Sequence, residues 1–306
     1  MHHINHFSQG LITPLLAYGM SVVGSLLGLL FTARARGTQG STRVRWLIGA
    51  ALALGGTGIW VMHFIAMMGF TITLAPIRYD VVLTAFSAVV AVAVVGVGLL
   101  LVSYGGARPG PLLGGGLLTG LGVASMHYMG MWAMNTTVNL HYDPISVVLA
   151  MVIAVAAATT ALWFTVRVRG MLRTIGAALL MGVAVTGMHY TGMFGMSVSG
   201  SVGNQVPPGA AAVDFLVPVL VGISLLTVGL LMAVMLSPSE KELRNEAELL
   251  ARIEQHRGST PAPPPPAPNF TPPTGRHGAY GGMRQAPPPP PGQGDRPSLF
   301  DPRSRP

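Results

Sequence analysis

Seven apolar runs constrain the fold of this chain, because each is about as long as a helix must be to cross the hydrocarbon core of a membrane. Half of the residues are hydrophobic and only 9% are charged, unlike a soluble globular chain. The runs lie at residues 11–31, 46–70, 81–102, 112–134, 145–166, 175–198 and 215–236. We therefore predict an all-α integral membrane domain of seven transmembrane helices over residues 11–237, after a short extracytoplasmic N-terminus at residues 1–10.

Arginine and lysine occur in alternate connections between these runs, and their side of the membrane predicts the orientation. The connections after runs one, three, five and seven hold Arg34, Arg36, Arg43, Arg45, Arg108, Arg167, Arg169, Arg173, Lys241, Arg244, Arg252 and Arg257. The opposite connections hold only Arg78. The N-terminus is predicted outside and the C-terminus in the cytoplasm. The basic residues form no patch interleaved with aromatics, so the net charge of +8 does not indicate nucleic-acid binding.

One short motif recurs three times, each time near the end of an apolar run. It reads Met-His-Phe-Ile-Ala-Met at residues 62–67, Met-His-Tyr-Met-Gly-Met at 126–131 and Met-His-Tyr-Thr-Gly-Met at 188–193. Two spans separate successive copies, so the chain returns to the same side each time. We predict three parallel two-helix repeats plus one further span, related by an axis along the membrane normal. All three motifs then lie at one depth, near the outer face.

The motif residues are potential metal ligands. A histidine inside a membrane span is costly, and a functional role is its default interpretation. Imidazole suits copper and thioether sulfur selects Cu(I), and a histidine and a methionine four residues apart share one helix face. The predicted ligands are Met62, His63, Met67, Met126, His127, Met131, Met188, His189 and Met193. One central site and three separate sites both fit this spacing.

Further residues are possible auxiliary ligands. Met134 and Met196 continue the same helical stripe three residues later, and Phe70 replaces them in the first repeat. Tyr128 and Tyr190 could donate hydrogen bonds to a bound ligand. His3, at the outer N-terminus, could chelate Cu(II) through the terminal amine and backbone nitrogens. A b-type haem is the less favoured cofactor, because it would use two of the three histidines and leave the third out.

The three motifs together resemble the MHYT domain, a bacterial integral-membrane sensor domain, over about residues 10–237. The resemblance implies paired spans in three repeats, copper bound through the motif, and sensing of a diatomic gas (oxygen, CO or NO) or of redox state. It also implies location in the bacterial cell membrane and a signalling role, since family members are often fused to cyclic-di-nucleotide enzymes. This sequence departs from the motif at Phe64, which has no hydroxyl.

The segments after the last span predict how a signal would leave the membrane domain. Residues 238–257 have the pattern of an amphipathic cytoplasmic helix, and residues 258–306 are proline-rich and predicted to be disordered. The tail could dock on a cytoplasmic signalling protein. No catalytic constellation or output domain is recognisable, so we expect a sensor and not an enzyme. The alternatives are a copper-handling membrane protein without a signalling role and a haem-binding membrane redox protein.

Overall fold

Helices make up most of the computed structural model, which describes residues 4–73, 75–200, 206–236 and 240–258. The helices are α1 (Ile12–Arg36), α2 (Gly40–Met68), α3 (Val81–Gly105), α4 (Pro109–Trp132), α5 (Pro144–Arg167), α6 (Met171–Phe194), α7 (Ala212–Leu236) and α8 (Glu240–Gly258). Helix α2 is π-helical over Leu52–Val61, directly before its Met-His motif. The chain divides by contacts into Met1–Glu254 and Gln255–Pro306, and of the second unit only the end of α8 is described.

Two aspartates fix where α3 and α5 begin. Oδ1 of Asp80 accepts a hydrogen bond from the amide of Leu83 at 2.9 Å, and Oδ2 of Asp143 accepts one from the amide of Ser146 at 2.9 Å. Both residues are N-caps, which satisfy amides that have no partner within the helix. The Ser146 amide, together with the Ser146 hydroxyl, holds the pKa of Asp143 below its usual value.

The first six helices form a closed ring. Each packs on the next along the chain, and α1 also packs on α6. Three members of the ring, α2, α4 and α6, also approach one another across its interior, where α2 contacts both α4 and α6. Helix α7 lies outside the ring, against α1 and the π-helical part of α2. Three helix pairs plus one additional helix is the arrangement that the repeats predict.

Short strands join the connections at the motif end of the ring. They are β1 (Ile4–Asn5), β2 (Thr71–Ile72), β3 (Arg78–Tyr79), β4 (Met134–Asn135), β5 (Asn139–Tyr142), β6 (Met196–Ser199) and β7 (Ala210–Ala211). Strand β1 pairs with β2, β3 lies between β4 and β7, and β5 pairs with β6, all antiparallel. The N-terminal segment and all three predicted outer connections therefore lie at one end of the bundle.

The chain is a multi-pass membrane protein. Among the described helices, six are long and apolar enough to cross a membrane, and many of their large apolar side chains face outward, as a surface in contact with lipid requires. Helix α4 is not among the six, although it has 24 residues, because its many glycines lower its hydropathy. All-helical architecture and three repeats are confirmed, and a seventh crossing stays a prediction.

Several sequence-based boundaries were wrong at the motif ends of the helices. Helices α2, α4 and α6 end at Met68, Trp132 and Phe194, so Met134 and Met196 lie in strands β4 and β6 and not on the helical stripe. Apolar residues continue past the helix ends because the strands are also buried on one side, which hides the boundary from a hydropathy profile. The prediction of a helix over 238–257 agrees with α8, whereas the proline-rich tail lies outside the described residues.

Candidate metal centre

Three histidines meet where the three motif helices converge. His63, His127 and His189 lie on α2, α4 and α6, and each is only 1% exposed. Because the motif occupies the same place in each helix pair, the ring brings the three side chains to one depth. Their ligand atoms all lie within 4.8 Å of one another, close enough to hold one metal ion.

The Nδ1 atoms form the centre of the cluster. Nδ1 of His63 is 3.0 Å from Nδ1 of His189 and 3.1 Å from Nδ1 of His127. The rings are nearly perpendicular to one another, at 80° to 87°, with centroids 4.9 to 5.1 Å apart. Nitrogens bound to one tetrahedral metal at about 2.0–2.1 Å are about 3.3 Å apart. The two Nδ1–Nδ1 distances from His63 are close to this value.

Hydrogen bonding among the imidazoles alone does not account for this arrangement. A neutral imidazole has one donor and one acceptor nitrogen, and a Nδ1 atom cannot fill both roles. Nδ1 of His63 would therefore have to share a single N–H between both neighbours, or accept from both with a single lone pair. A single cation at the meeting point accepts all three lone pairs at once. The residues present therefore fit a metal ion.

The second ring nitrogen of each imidazole, Nε2, also lacks a hydrogen-bond partner in the described part of the chain. All three Nε2 atoms are buried. A methyl group on Gly130 would overlap Nε2 of His63, and one on Gly192 would lie 2.5 Å from Nε2 of His127. Each of these two rings therefore packs against a glycine of the next repeat. The equivalent position in the first repeat is Ala66.

The aromatic residue after each histidine packs against the neighbouring repeat, as the histidine itself does. A methyl group on Gly130 would lie 3.3 Å from Cζ of Phe64, and one on Gly192 would lie 3.3 Å from the Tyr128 hydroxyl. Tyr190 packs against the cluster of Ala17, Met62 and Ala66. The hydroxyls of Tyr128 and Tyr190 are buried without a partner in the described part of the chain, so hydrogen bonding to a ligand stays a prediction for both.

The motif methionines separate into two groups. Met67, Met131 and Met193 are buried in one apolar cluster with Trp60 and Phe64, and the same cluster contains Met134 and Met196. Met62, Met126 and Met188 precede the histidines and are divided among three different clusters. The three methionines that follow the histidines by four residues thus share one cluster, whereas the three that precede them do not. Their role as ligands stays a prediction.

Other predicted residues fall outside this centre. His3 lies outside the described residues. His141 is exposed on β5, and its Nδ1 is 3.2 Å from the Ser199 hydroxyl. Sequence reasoning missed the roles of Gly130 and Gly192, although a glycine three residues after the histidine is visible in two of the three motifs. His6, which the sequence offers as a further imidazole for metal binding at the N-terminus, packs beside Phe194.

A family of signalling proteins has the same repeats. The model of the bacterial signalling protein N-terminal repeat, MHYT, matches residues 56–115, 120–178 and 182–244, more than half of the chain. The chain belongs to the MHYT family. Each MHYT repeat opens shortly before a Met-His motif and continues through the next helix, so the three histidines are contributed by three equivalent repeats.

Curated relatives of this MHYT chain are longer signalling proteins. It is 35% identical over 246 residues to the bifunctional diguanylate cyclase/cyclic di-GMP phosphodiesterase MucR of Pseudomonas aeruginosa, covering 77% of this chain and 35% of MucR. It is 37% identical over 168 residues to the cyclic di-GMP phosphodiesterase NbdA of the same species, covering 51% of this chain and 21% of NbdA. With the signaling protein YkoW of Bacillus subtilis it shares 33% identity over 174 residues, 54% of this chain and 21% of YkoW. The MHYT chain thus spans about a third or less of these relatives. No solved structure matches it significantly.

Proposed function

We propose that this MHYT protein is a non-enzymatic membrane sensor that holds one Cu(I) ion between His63, His127 and His189. The observation that carries this is the convergence of three buried Nδ1 atoms contributed by three repeats. Copper is favoured because the ligands are imidazoles and the nearby polarizable groups are the thioethers of Met67, Met131 and Met193. The sequence has no cysteine, so thiolate ligands play no part.

The packing of the imidazoles disfavours haem. Two axial ligands bind haem iron from opposite faces of the porphyrin, which must fit between them. Nδ1 of His63 is 3.0 Å from Nδ1 of His189, and the third ring lies against both. A planar macrocycle would have to separate rings that are in contact.

An apolar cavity beside the triad supports gas sensing. It measures about 50 Å³, and Ile59, Val123 and Val185 in its wall each lie one helical turn before one of the three histidines. Its other lining residues are mostly alanine, leucine and valine. Apolar cavities of small size take up small apolar molecules such as xenon and not water. We propose that oxygen, CO or NO reaches the copper from this side.

The packing of α7 suggests how the signal leaves the site. The Thr57 hydroxyl, in the π-helical part of α2, is 2.7 Å from the Thr227 hydroxyl of α7, and both are buried. π-Helical segments occur often at functional sites. A change at His63 would be transmitted along α2 to α7, and from there to α8 and a cytoplasmic partner. MucR and NbdA are by name cyclic di-GMP enzymes, and we propose an output of this signalling class.

The proposed orientation places the copper site near the outer face, with α4 as the seventh crossing. Arginines at the other end support this, since Arg34 and Arg36 donate to carbonyls of Val234 and of Val168 there. Single cysteines introduced into residues 71–80 or 135–144 should react with a membrane-impermeant reagent in intact cells, because no native cysteine competes. Cysteines near Arg36 or Arg169 should react only after lysis. The reverse pattern would contradict the orientation.

Infrared spectroscopy of the purified, Cu(I)-loaded protein under CO tests the proposed function. We expect a Cu(I)–carbonyl band in the wild type and none in the variant with all three histidines replaced by alanine, because the triad supplies the nitrogen ligands. The absorption spectrum should contain no Soret band. Bound copper without a carbonyl band would favour the copper-handling alternative, and a stoichiometric haem would overturn the copper site.

A further inference from the structure

The N-terminal segment is fastened over the outer ends of α2 and α6. Strand β1 pairs with β2, with Ile4 opposite Ile72. The amide and the hydroxyl of Ser8 both donate to the carbonyl of Gly69, at 3.0 and 2.9 Å. These bonds fix the segment immediately beyond the end of the helix that carries His63. The side chains between β1 and Ser8 are therefore held near the metal centre.

His6 lies beside two aromatic side chains, Phe70 after the end of α2 and Phe194 at the end of α6. Its ring centroid is 5.6 Å from that of Phe70 and 5.1 Å from that of Phe194, and neighbouring Phe7 contacts Tyr190. Nδ1 of His6 is buried and has no hydrogen-bond partner among the described residues. A buried nitrogen without a partner is unfavourable, so a packing role alone explains this position poorly.

His6 offers an imidazole, a ligand that suits copper. Burial lowers the pKa of His6, so its imidazole is neutral at physiological pH and keeps a free lone pair. His6 contacts Phe194, which is the last residue of α6, the helix that carries His189. It is not part of the group whose ligand atoms lie within 4.8 Å of one another. His6 therefore lies outside the triad, toward the N-terminal segment, and is not a fourth member of it.

Comparison of the repeats supports the same role. Seven residues after the motif histidine, the second and third repeats have the buried thioethers of Met134 and Met196. The first repeat has Phe70 there, and the ring of His6 contacts it in a tilted arrangement. The N-terminal segment thus supplies a metal-binding side chain at the only repeat that lacks one at this position. All three helix ends then have a donor suited to copper.

We propose that His6 is an entry ligand that receives Cu(I) from the outer side and passes it to His189 and the rest of the triad. The ion exchanges one imidazole for another, with no change in oxidation state. The buried ring of Phe70 limits the access of water on one side of His6 during the transfer. This role rests on the proposed copper site, but it concerns the rate of loading and not the final ligand set.

The test is the time course of Cu(I) transfer from a coloured Cu(I) chelate to the purified full-length protein. Cu(I) is used because the chelating site predicted at His3 binds Cu(II), so that it does not compete in this experiment. We expect His6→Ala to slow loading about tenfold with unchanged final stoichiometry, and His6→Met to load nearly as fast as the wild type. His141→Ala, which removes an exposed histidine at the same end, is the matched control and should load normally.

The outcomes separate this role from the copper site itself. If His6→Ala loads as fast as the wild type, or faster, His6 does not deliver the ion and the entry role is wrong. The proposed copper site at the triad is unaffected by that result. If His6→Ala lowers the equilibrium affinity as much as loss of a triad histidine, His6 is a resident ligand and the entry role is again wrong. If the wild type takes up no Cu(I), the proposed copper site fails together with the entry role.

Discussion

Replacing His63 with alanine is expected to lower the affinity for Cu(I) by more than about 100-fold, since loss of a residue that merely supports a ligand already costs roughly 10- to 100-fold. Nδ1 of His63 is the atom within 3.1 Å of both other Nδ1 atoms. The measurement is anaerobic titration of the purified protein in competition with a Cu(I) chelator of known affinity. His141→Ala is the control for removal of a histidine outside the centre.

The pattern across variants decides between one site and three. If the ion is shared, His63→Ala and the triple alanine variant should lose nearly the same binding free energy, because the three ligands act as a unit. If each repeat holds its own ion, every single variant should lose one third of the copper and the triple variant all of it. The second pattern would contradict the shared site, even though all three histidines would still be ligands.

A second large effect is expected at Gly192, which does not bind the metal in this scheme. Gly192→Ala should lower Cu(I) affinity about tenfold or more, because the added methyl group would lie 2.5 Å from Nε2 of His127 and displace that ring. Forcing one methyl group into a packed core costs about 1–3 kcal/mol. The readouts are the same competition titration and the thermal unfolding midpoint.

Gly187→Ala is the matched control on the same helix, because a methyl group there meets nothing within 4 Å. Alanine is about 1 kcal/mol more favourable than glycine in a helix interior, so this control should be as stable as the wild type or more stable. Its copper affinity should not change. Equal behaviour of the two variants would show that the contact between Gly192 and His127 does not position the ligand.

The sequence predicted the position of the histidines well, for a physical reason. A polar side chain inside an apolar span needs a partner, and three at equivalent repeat positions can find one another on the repeat axis. An even number of spans separates successive motifs, which predicts that all three lie at the same end of the bundle. The pairing of β3 with both β4 and β7 confirms this. These inferences needed only length, polarity and repetition.

The parts that sequence could not predict depend on helix rotation and on long-range packing. The spacing of Met134 from Met131 suggested one helical stripe, but α4 ends at Trp132 and the stripe is lost. The position of His6 depends on the pairing of β1 with β2, between residues far apart in the chain. Convergence of the imidazoles through Nδ1 rather than Nε2 follows from the rotation of three helices, which periodicity does not determine.

X-ray absorption spectroscopy at the copper edge, combined with metal analysis of the Cu(I)-loaded wild type, tests most directly whether the three repeats share one ion. A shared site predicts one copper per chain, with imidazole nitrogens at about 2.0 Å as in other histidine-bound metal sites. Thioether sulfur from the cluster around Met131 would appear as an additional, longer shell. Three coppers per chain, or a shell of sulfur without nitrogen, would contradict a single copper ion held by His63, His127 and His189.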